Sequence, residues 1–550
     1  MDAAILFEAD AYRLDGPKLM GRQAAGNGFL RAAVEAHAGR PIWGFSPYSN
    51  AAAAFRQTVL ELDPAGRTEW IGRADFARKA ERGVLFRPDI ALGPMADLRL
   101  RAGPGRYSLC GMTHTLSGKP LEALAALTHQ PLAPWDAVIC TSRAAVGVVE
   151  RMLEAGEEML SWRVGQKVRP PRLQLPIIPL GVHTRDFDFS ADDRAQARAL
   201  LGLAEEEVVA LFAGRLTFHA KAHPFQMLEG LQAAAKATGR RVVLIQAGQF
   251  PNDSVEEVFR RATADFCPDV RPVFVNGKDF ERYGATWRAA DLFVSLSDNI
   301  QETFGITPLE AMASGLPVLV SDWDGYRDTV RDGEDGFRIT TYQPEPGYCD
   351  HMAQAFETGT INYDYLLFRT CVAVSMDARM LADRLTRLVG DDELRRRMGA
   401  AGRERARTSY DWRHIYRRYQ ELWDELTAIR AREYPANQAY WDRAPRSAPG
   451  HQDPFRTFGG YATGAIGPQT RVELAPDGSA QRYLMLENHG IFPHWKVGPD
   501  LVEMIFARLA QGPATVAELA EASRTGRAAL VEVTSRLAKM NLVRVVQRMP

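Results

Sequence analysis

A run of apolar and small residues at 208–214, Val-Val-Ala-Leu-Phe-Ala-Gly, most constrains the fold of this chain. A strand of this kind has no polar face, so both of its faces must be covered by other elements. Further short apolar strands are predicted at 242–247, 273–276, 291–296 and 317–321, with helical segments between them. Since parallel strands are joined by helical crossovers, this alternation predicts a parallel, doubly wound α/β sheet that begins near Val208.

The first part of the chain shows the same alternation. Strands are predicted at 4–7 and 135–142, and helices at 28–38 and 143–153. Prolines and a glycine that precede Val182 are typical of a hinge between two α/β halves. A long Arg-rich amphipathic helical stretch closes the second half. Because both halves alternate strands and helices, the sequence predicts two sheets of the same class.

Composition limits the classes of partner and compartment. The chain is 46% hydrophobic and 25% charged with a net charge of −1, so no overall field attracts nucleic acid or an anionic membrane. The five cysteines are scattered without a Cys-x-x-Cys pair, which favours reduced thiols and a cytoplasmic location. The N-terminus lacks the pattern of a signal peptide, and no apolar run is long enough to span a bilayer. Peripheral contact with the inner face of a membrane is left open.

The stretch from Glu302 to Gly315 carries the strongest chemical signal. It follows a predicted strand and reads as a loop and then a helix, with Thr307 as the N-cap, Pro308 as the first helical residue and Gly315 after its end. Open α/β sheets bind ligands at the carboxyl ends of their strands, and a helix N-terminus there favours phosphate. The loop is therefore a predicted phosphate-binding site.

Two carboxylates bracket this loop. Thr307-x-x-Glu310 matches a capping box, a common structural pattern that explains Glu310 without any ligand. Glu302 would repel a phosphate beside it, so it is better suited to the hydroxyl groups of a sugar. A carboxylate can accept two hydrogen bonds from a diol such as a ribose or a hexose presents. The loop therefore predicts binding of both phosphate and sugar.

Arg215 and Lys221 form a second cluster, directly after the apolar strand. Two cations in one loop can converge on a diphosphate, which Arg binds bidentately and Lys binds as a point charge. A solvated basic loop is the alternative when these two residues are considered alone. Their combination with the Glu302 loop favours the diphosphate.

Together these motifs resemble glycosyltransferase family 4, whose members are retaining enzymes of the GT-B fold. The matching segments are Gly214-Arg-x5-Lys221, Glu302-x7-Glu310, Ile178-Pro-Leu-Gly-Val182 and Asp332-Gly-x-x-Gly-Phe337. The resemblance is strong over 178–430, weaker before it and absent beyond it. It implies two Rossmann-like α/β domains that face a cleft: an acceptor-side domain at 1–182, completed by a helix at 409–430, and a nucleotide-sugar donor domain at 183–408.

The resemblance also implies roles in the donor half. Arg215 and Lys221 would hold the donor pyrophosphate, Glu302 the transferred sugar and Glu310 the nucleotide ribose. The donor site would be completed by the loop residues Thr303, Phe304, Gly305 and Ile306. The sequence departs from the family at Ala222, where a glycine often follows the lysine.

In the N-terminal half, the resemblance implies a role for Gly21 beside the donor and for His114 near the transferred sugar. The predicted catalytic residues are therefore Glu302, His114, Arg215 and Lys221. The loop around Gly21 lacks the usual Gly-Gly pair. A lone histidine is more often structural, so the role of His114 rests on the resemblance.

Metal binding is not expected, and neither is any other cofactor. Asp322-Trp-Asp324 matches an Asp-x-Asp metal pattern, but such tripeptides are frequent. His219 and His223 have the spacing of ligands on a helix, but no third ligand is evident near them. The cationic loop and the helix N-terminus would serve the diphosphate instead.

The C-terminal part is predicted to hold an irregular linker or extension at 431–497 and a small winged-helix-like domain at 498–550. Thr515-x-x-Glu518 predicts a capping box for the second of its three helices. The excess of basic over acidic residues is small, so nucleic acid is not an expected partner. Contact with a protein or peptide and a purely structural appendage are the two alternatives.

The sequence therefore predicts a retaining glycosyltransferase that needs no metal. Its donor is a nucleotide-diphosphate sugar, and its acceptor is a glycan, a lipid-linked saccharide, a peptide or a small molecule. Two alternatives stay open: a GT-B phosphorylase that uses inorganic phosphate, and a non-catalytic scaffold that binds a partner through its winged helix.

Overall fold

Two parallel sheets of six strands organise residues 1–448, which form one of the two units of the chain. The second unit spans residues 449–550. The computed structural model describes residues 2–12, 21–37, 39–46, 51–492 and 497–546.

The first sheet has the strand order β3-β2-β1-β4-β5-β6 with every pairing parallel. Its strands are β1 (Ala4–Leu6), β2 (Ile42–Phe45), β3 (Thr68–Ile71), β4 (Val84–Phe86), β5 (Ser108–Met112) and β6 (Ala137–Ile139). The helices of this half are α1 (Gly21–His37), α2 (Ala52–Leu62), α3 (Phe76–Arg82), α4 (Gly93–Leu100), α5 (Lys119–Ala126) and α6 (Arg143–Val164). This order is that of a doubly wound dinucleotide-binding sheet.

The second sheet repeats this topology. Its strands are β7 (Val208–Ala213), β8 (Val242–Gly248), β9 (Val270–Asn276), β10 (Leu292–Ser295), β11 (Val318–Ser321) and β12 (Gly336–Ile339), in the order β12-β11-β10-β7-β8-β9. Every residue of β7 is buried, as its continuous apolar sequence predicts. The helices α7 to α12 are Ala191–Leu201, Phe225–Thr238, Asp253–Phe266, Phe280–Ala289, Ile306–Ala313 and Tyr326–Thr329. The predicted doubly wound α/β class is confirmed for both sheets.

An additional helical segment interrupts the donor half after β12. It lies between the paired short strands β13 (Thr341–Tyr342) and β14 (Ser375–Met376) and contains α13 (Asp350–Glu357) and α14 (Tyr363–Cys371). The chain continues through α15 (Ala378–Gly390), α16 (Asp392–Arg405), α17 (Trp412–Ala436) and α18 (Gln438–Trp441).

Helix α17 packs on the N-terminal half. Tyr419 and Trp423 are buried against Phe86 of β4, with ring centroids 5.6 and 6.0 Å away, and Tyr419 also contacts Phe29 of α1. Tyr416 lies on the same face of α17 and contacts Phe29 at 5.6 Å between ring centroids. These three large aromatic residues explain why α17 is held there rather than on the sheet that precedes it in sequence. The N-terminal half is therefore completed by residues that follow the donor half.

Two helix boundaries differ from the prediction. Helix α1 begins at Gly21 instead of 28, so the glycines at 26 and 28 lie inside it. At Gly28 a β-carbon would lie 2.4 Å from the Trp412 ring, and this close contact explains a glycine there. Helix α6 continues past 153 to Val164, where Gly165 ends it with φ of +71°.

The C-terminal unit is larger than predicted, and the expected linker at 431–497 is wrong as a description of that segment. The residues from 431 to 436 continue α17. Further along, β15 (Arg471–Leu474) is the central strand of a three-stranded antiparallel sheet with β16 (Ala514–Thr515) and β17 (Val543–Val545). The helices are α19 (Pro454–Thr457), α20 (Ala480–Asn488), α21 (Pro499–Leu509), α22 (Val516–Ala522) and α23 (Arg527–Lys539). The Thr515–Glu518 capping box is present.

The sequence missed β15 and α20 because each of them buries few residues. Val472 and Tyr483 contribute to the core of the unit, but their neighbours in sequence are largely exposed, which leaves little periodicity to detect. Within the described ranges, no helix is both long and apolar enough to cross a membrane.

Candidate functional site

The central strands of the second sheet, β7 and β10, are neighbours and end at the same edge of the sheet. The winding of the sheet reverses between them, since β8 and β9 lie on one side and β11 and β12 on the other. Ligands of open α/β sheets bind in the crevice at this position. Arg215 follows β7 and Glu302 follows β10, so both predicted ligand-binding loops meet here.

Lys221 and Glu302 form an ion pair in this crevice, with 2.5 Å between Nζ and Oε2. Both side chains are largely buried, with 13% and 16% of their surfaces exposed. Burial is the largest single effect and disfavours each charge, but the opposite charge together with the hydrogen bonds and the other polar groups nearby outweighs it. The pKa of the Lys221 ammonium is therefore raised and the pKa of the Glu302 carboxyl is lowered. The pair stays ionised at neutral pH.

Tyr326 of α12 completes the surroundings of Lys221. Its buried hydroxyl contributes to the raised pKa of the ammonium and lies 2.9 Å from Ser295 Oγ at the end of β10. Gly305 makes room for the ring, because a β-carbon there would lie 2.0 Å from Tyr326 Cε1. The φ angle of Gly305 is +85°, which also favours glycine. The predicted glycine of the phosphate loop is thus required by a side chain that no sequence motif identified.

The Arg215 guanidinium is held by the loops on both sides. Its Nη2 donates to the Ala220 carbonyl at 2.7 Å and to Gln301 Oε1 at 2.6 Å. Burial lowers the pKa of Arg215, and the nearby Glu302 carboxylate opposes this shift. Arginine remains charged under such conditions because its ordinary pKa is above 12. Arg215 therefore places a second fixed cation beside Lys221.

Helix α11 begins two residues earlier than predicted, at Ile306, with Gly305 as its N-cap. The predicted capping box is wrong: no side chain caps this helix, and Thr307 Oγ1 is buried without a hydrogen-bond partner among the described residues. Ile306 and the residues before it, Thr303 to Gly305, therefore form a helix N-terminus that no side chain caps. The first N–H groups of a helix have no partner within it and favour an anion.

Glu310 is consequently not explained by helix capping. Burial raises its pKa to about 7, and the charge of Lys221 opposes this shift. The same carboxyl adds to the effect of burial in raising the pKa of Tyr283. Glu310 therefore lies within electrostatic reach of Lys221.

Asn299 joins the two loops of the site. Its Nδ2 donates to the Lys221 carbonyl at 2.7 Å, and its Oδ1 accepts from the backbone N–H groups of Gln301 and Glu302 at 3.0 and 3.2 Å. It is 1% exposed. One side chain thus fixes the backbone on both sides of the ion pair. No sequence motif assigned a role to Asn299.

The N-terminal half contacts this site through the loop after β6. Ser142 Oγ donates to the Thr303 carbonyl at 3.0 Å and to Asp324 Oδ1 at 3.3 Å, and Thr141 Oγ1 donates to the same carbonyl at 3.3 Å. The carbonyl of Thr303 thus anchors the phosphate loop to the opposite half. The two sheets are therefore connected directly at the predicted site.

Gly21 and His114 are placed less decisively. Gly21 opens α1, and a β-carbon on it would lie more than 4 Å from the described residues around it. The residues before it, including Leu19 and Met20 of the predicted loop, lie outside the described ranges. His114 follows β5 and lines a small cavity with Gly26 and Trp412. The roles of Gly21 and His114 stay predictions.

The alternative metal ligands have other partners. Asp322 forms ion pairs with Arg338 at 3.1 Å and Arg327 at 3.8 Å. Asp324 accepts from Ser142, and His219 lies 4.0 Å from Asp364. Across the described ranges, no three or more His, Cys, Asp or Glu residues group as metal ligands would.

Residues 193–347 match the family model described as Glycosyl transferases group 1. The D-inositol 3-phosphate glycosyltransferase of Nocardia farcinica is 30% identical over 270 residues, which are 44% of this chain and 57% of that protein. The phosphatidyl-myo-inositol mannosyltransferase of Mycobacterium leprae is 33% identical over 158 residues, 28% of this chain and 32% of that protein. The chain spans about half the length of the first curated relatives that it matches.

Among solved structures, HepE of Anabaena in complex with UDP has a TM-score of 0.50 and 16% sequence identity. The likeness covers 77% of this chain and all of that one. At this identity it concerns the fold, which is GT-B, as the motifs predicted. Arg215, Lys221, Glu302 and Glu310 all lie inside the segment that matches the family model.

Proposed function

From the premise that the donor half carries a glycosyl transferases group 1 domain, which confirms the resemblance found in the motifs, we propose that this protein transfers a sugar from a nucleotide-diphosphate sugar. The observation that carries the proposal is the cluster of Arg215, Lys221 and Glu302 at the reversal point of the second sheet. Fixed cations beside an uncapped helix N-terminus are suited to a diphosphate.

The chemistry of the transfer explains why these cations matter. When the bond between the sugar and the diphosphate breaks, negative charge develops on the departing phosphate oxygens. Preorganised positive groups stabilise that charge without having to reorient. Lys221 has three N–H donors, of which one binds Glu302, so it can also donate to a phosphate oxygen. The hydrogen bonds of Arg215 to Ala220 and Gln301 both use Nη2, so the N–H groups on Nε and Nη1 take no part in them.

Glu302 and Glu310 supply acceptors for hydroxyl groups. The Glu302 carboxylate uses Oε2 for Lys221, and a carboxylate has about four lone-pair positions, so it can also accept from a sugar hydroxyl. Glu310 lies further along α11, free of the helix-capping role, and we assign it to the ribose. Glu302 thus orients the sugar while it keeps Lys221 charged.

Retention of anomeric configuration and independence from metal are parts of the proposal. Retention rests on the resemblance to glycosyltransferase family 4. Independence from metal rests on Arg215 and Lys221, which provide positive charge at the diphosphate. The acceptor, a glycan, lipid, peptide or small molecule, would enter from the N-terminal half. In that half, Gly21 is assigned to the donor and His114 to the transferred sugar. We also propose a cytoplasmic location, which five unpaired cysteines favour.

A screen of nucleotide-sugars tests the proposal. We expect one or more nucleotide-sugars to raise the melting temperature of the wild-type protein and to be turned over with release of the nucleoside diphosphate. Failure of every common nucleotide-sugar to bind would contradict it. Consumption of a glycoside with inorganic phosphate as the sole second substrate would identify a phosphorylase instead.

A further inference from the structure

Tyr363 lies between the two halves of the larger unit. It is the first residue of α14, in the helical segment between β13 and β14, and it follows the segment that matches the family model. Its hydroxyl is 2.7 Å from Ser117 Oγ in the N-terminal half and 3.3 Å from Gln301 Nε2 in the donor half. No sequence motif identified this residue.

The bonding of Gln301 has a defined direction. Its Oε1 accepts from Arg215 Nη2, and a guanidinium can only donate, so the amide oxygen must face Arg215. The amide nitrogen then faces Tyr363 and donates to its hydroxyl. The Tyr363 hydroxyl and the Ser117 hydroxyl share the next hydrogen bond, in which either of them can donate. A chain of hydrogen bonds thus connects Arg215 through Gln301 and Tyr363 to Ser117.

Helix α14 is fixed to the loop that carries Arg215. The thiol of Cys371, at the other end of the helix, lies 3.3 Å from the Phe218 carbonyl and 3.1 Å from Asp298 Oδ1. On the opposite side, Gly118 has φ of +74°, and a β-carbon there would lie 2.9 Å from the Tyr363 ring. The ring therefore packs directly on the loop at 113–118 of the N-terminal half, which also contains His114.

We propose that Tyr363 is a positioning residue of the transfer reaction, which couples the contact between the two halves to the orientation of Arg215. The inference rests on the proposed function. When Tyr363 bonds Ser117, Gln301 is held with its oxygen toward the guanidinium, and Arg215 keeps one orientation. When that bond is missing, the Gln301 amide can rotate and Arg215 loses its fixed partner. The diphosphate would still bind, but its developing charge would be stabilised less well.

The variant Tyr363→Phe removes the hydroxyl and keeps the ring. Release of nucleoside diphosphate from the nucleotide-sugar that wild-type protein turns over, with water as acceptor, should show kcat about three- to tenfold lower, the range for one lost neutral hydrogen bond. The affinities for UDP, GDP or ADP, whichever the wild-type protein binds, should stay within about twofold. Tyr365→Phe on the same helix is the matched control, since Tyr365 is 53% exposed, and it should behave like wild type.

A double-mutant cycle separates coupling from a general structural effect. Ser117→Ala should lower kcat to a similar extent, and the double variant should lose no more than Tyr363→Phe alone, because both changes break one chain. Additive losses, or unchanged turnover in Tyr363→Phe while the wild-type protein is active, would overturn the role of Tyr363. Absence of binding and turnover in the wild-type protein would instead overturn the proposed function.

Hydrogen exchange provides a readout that needs no turnover. Peptides that cover 113–118 and 299–303 should exchange faster in Tyr363→Phe than in wild-type protein, while Tyr365→Phe leaves both unchanged. Equal exchange in all three proteins would show that the hydroxyl does not connect the halves, and would overturn the inference whichever substrate the protein uses.

Discussion

Lys221 Nζ and Glu302 Oε2 lie 2.5 Å apart, although 81 positions separate them in sequence and they belong to loops after different strands. Each residue keeps the other ionised inside a largely buried site. The cation is therefore in place before any substrate arrives. Preorganisation of this kind is the main source of electrostatic catalysis, because no reorientation is needed when charge develops.

Loss of either cation should impair the transfer. We expect Arg215→Ala and Lys221→Ala each to lower turnover or donor affinity by about tenfold or more, the scale of a lost charge-stabilising group. Nucleotide-sugar kinetics would measure this, with circular dichroism to verify folding. Lys236→Ala on α8, which removes an exposed lysine of the same half, is the control and should match wild type. Unchanged kinetics in both variants of the site would contradict the diphosphate assignment.

Glu302→Gln should affect catalysis more than nucleotide binding. The amide keeps the size of the side chain but loses the charge that stabilises Lys221 and the second acceptor for sugar hydroxyls. We expect turnover to fall while the affinity for the free nucleoside diphosphate changes little, as measured by calorimetry and steady-state kinetics. If the variant binds the nucleotide-sugar normally and turns it over at the wild-type rate, Glu302 does not hold the sugar.

Chelation should leave the rate nearly unchanged. The reason is that Arg215 and Lys221 carry the charge that a divalent ion would otherwise supply at the diphosphate. The assay compares turnover before and after dialysis against excess EDTA. A collapse of activity that magnesium or manganese restores would contradict this expectation and would assign Asp322 and Asp324 as ligands.

The stability of the protein should depend on the ionisation of Glu310. Burial raises its pKa from an ordinary 4.5 to about 7, so the folded state binds this proton more tightly than the unfolded state. The part of the free energy of unfolding that comes from the protonated Glu310 carboxyl is fully present below about pH 4.5, and it is lost as the pH rises through 7. Glu310→Gln removes that titration. The free energy of unfolding should therefore differ less between pH 5 and pH 8 in the variant than in wild type.

Urea denaturation at the two pH values measures this difference. Asp298, whose pKa burial also raises to about 7, contributes with the same sign, so the pH dependence should shrink in Glu310→Gln without vanishing. Asp298→Asn serves as the comparison, and it should reduce the slope independently. An identical pH dependence in wild type and Glu310→Gln would show that Glu310 has an ordinary pKa in the folded protein.

Removal of residues 449–550 should preserve binding of the nucleotide-sugar. All assigned donor residues lie in the first unit, and a cut after 448 keeps the contact of Trp441 with Trp135, whose ring centroids are 4.7 Å apart. Thermal stabilisation by the nucleotide-sugar would measure it. Loss of binding would show that the C-terminal unit contributes to the donor site.

The C-terminal unit itself has a separate test. We propose contact with a protein or peptide, since the basic excess at 498–550 is small. Titration of the full chain and of the chain ending at 448 with random duplex DNA at physiological salt should show no submicromolar binding by either. Tight, salt-dependent binding that requires residues 449–550 would establish a nucleic-acid role instead.

The sequence by itself determined the two α/β halves and most strands of the second sheet, and it placed Arg215 and Glu302 in the loops after two of those strands. The reason is local: strands buried on both faces, such as β7, must be apolar throughout, and the residues after them stand at one edge of the sheet. Arg215, Lys221 and Glu302 could therefore be predicted at one crevice from their positions after strands, whereas the assignment of Glu310 rested on the family resemblance.

Tertiary structure decided what surrounds those residues. Tyr326 and Tyr363 reach the site from separate helices, and a lone tyrosine carries no signal of what its hydroxyl will meet. Thr307 and Glu310 match a capping box in sequence, but the helix begins at Ile306 because Gly305, which the Tyr326 ring requires, takes the N-cap position. Local patterns specify elements and the ends of strands, whereas partners distant in sequence are chosen by how those elements pack.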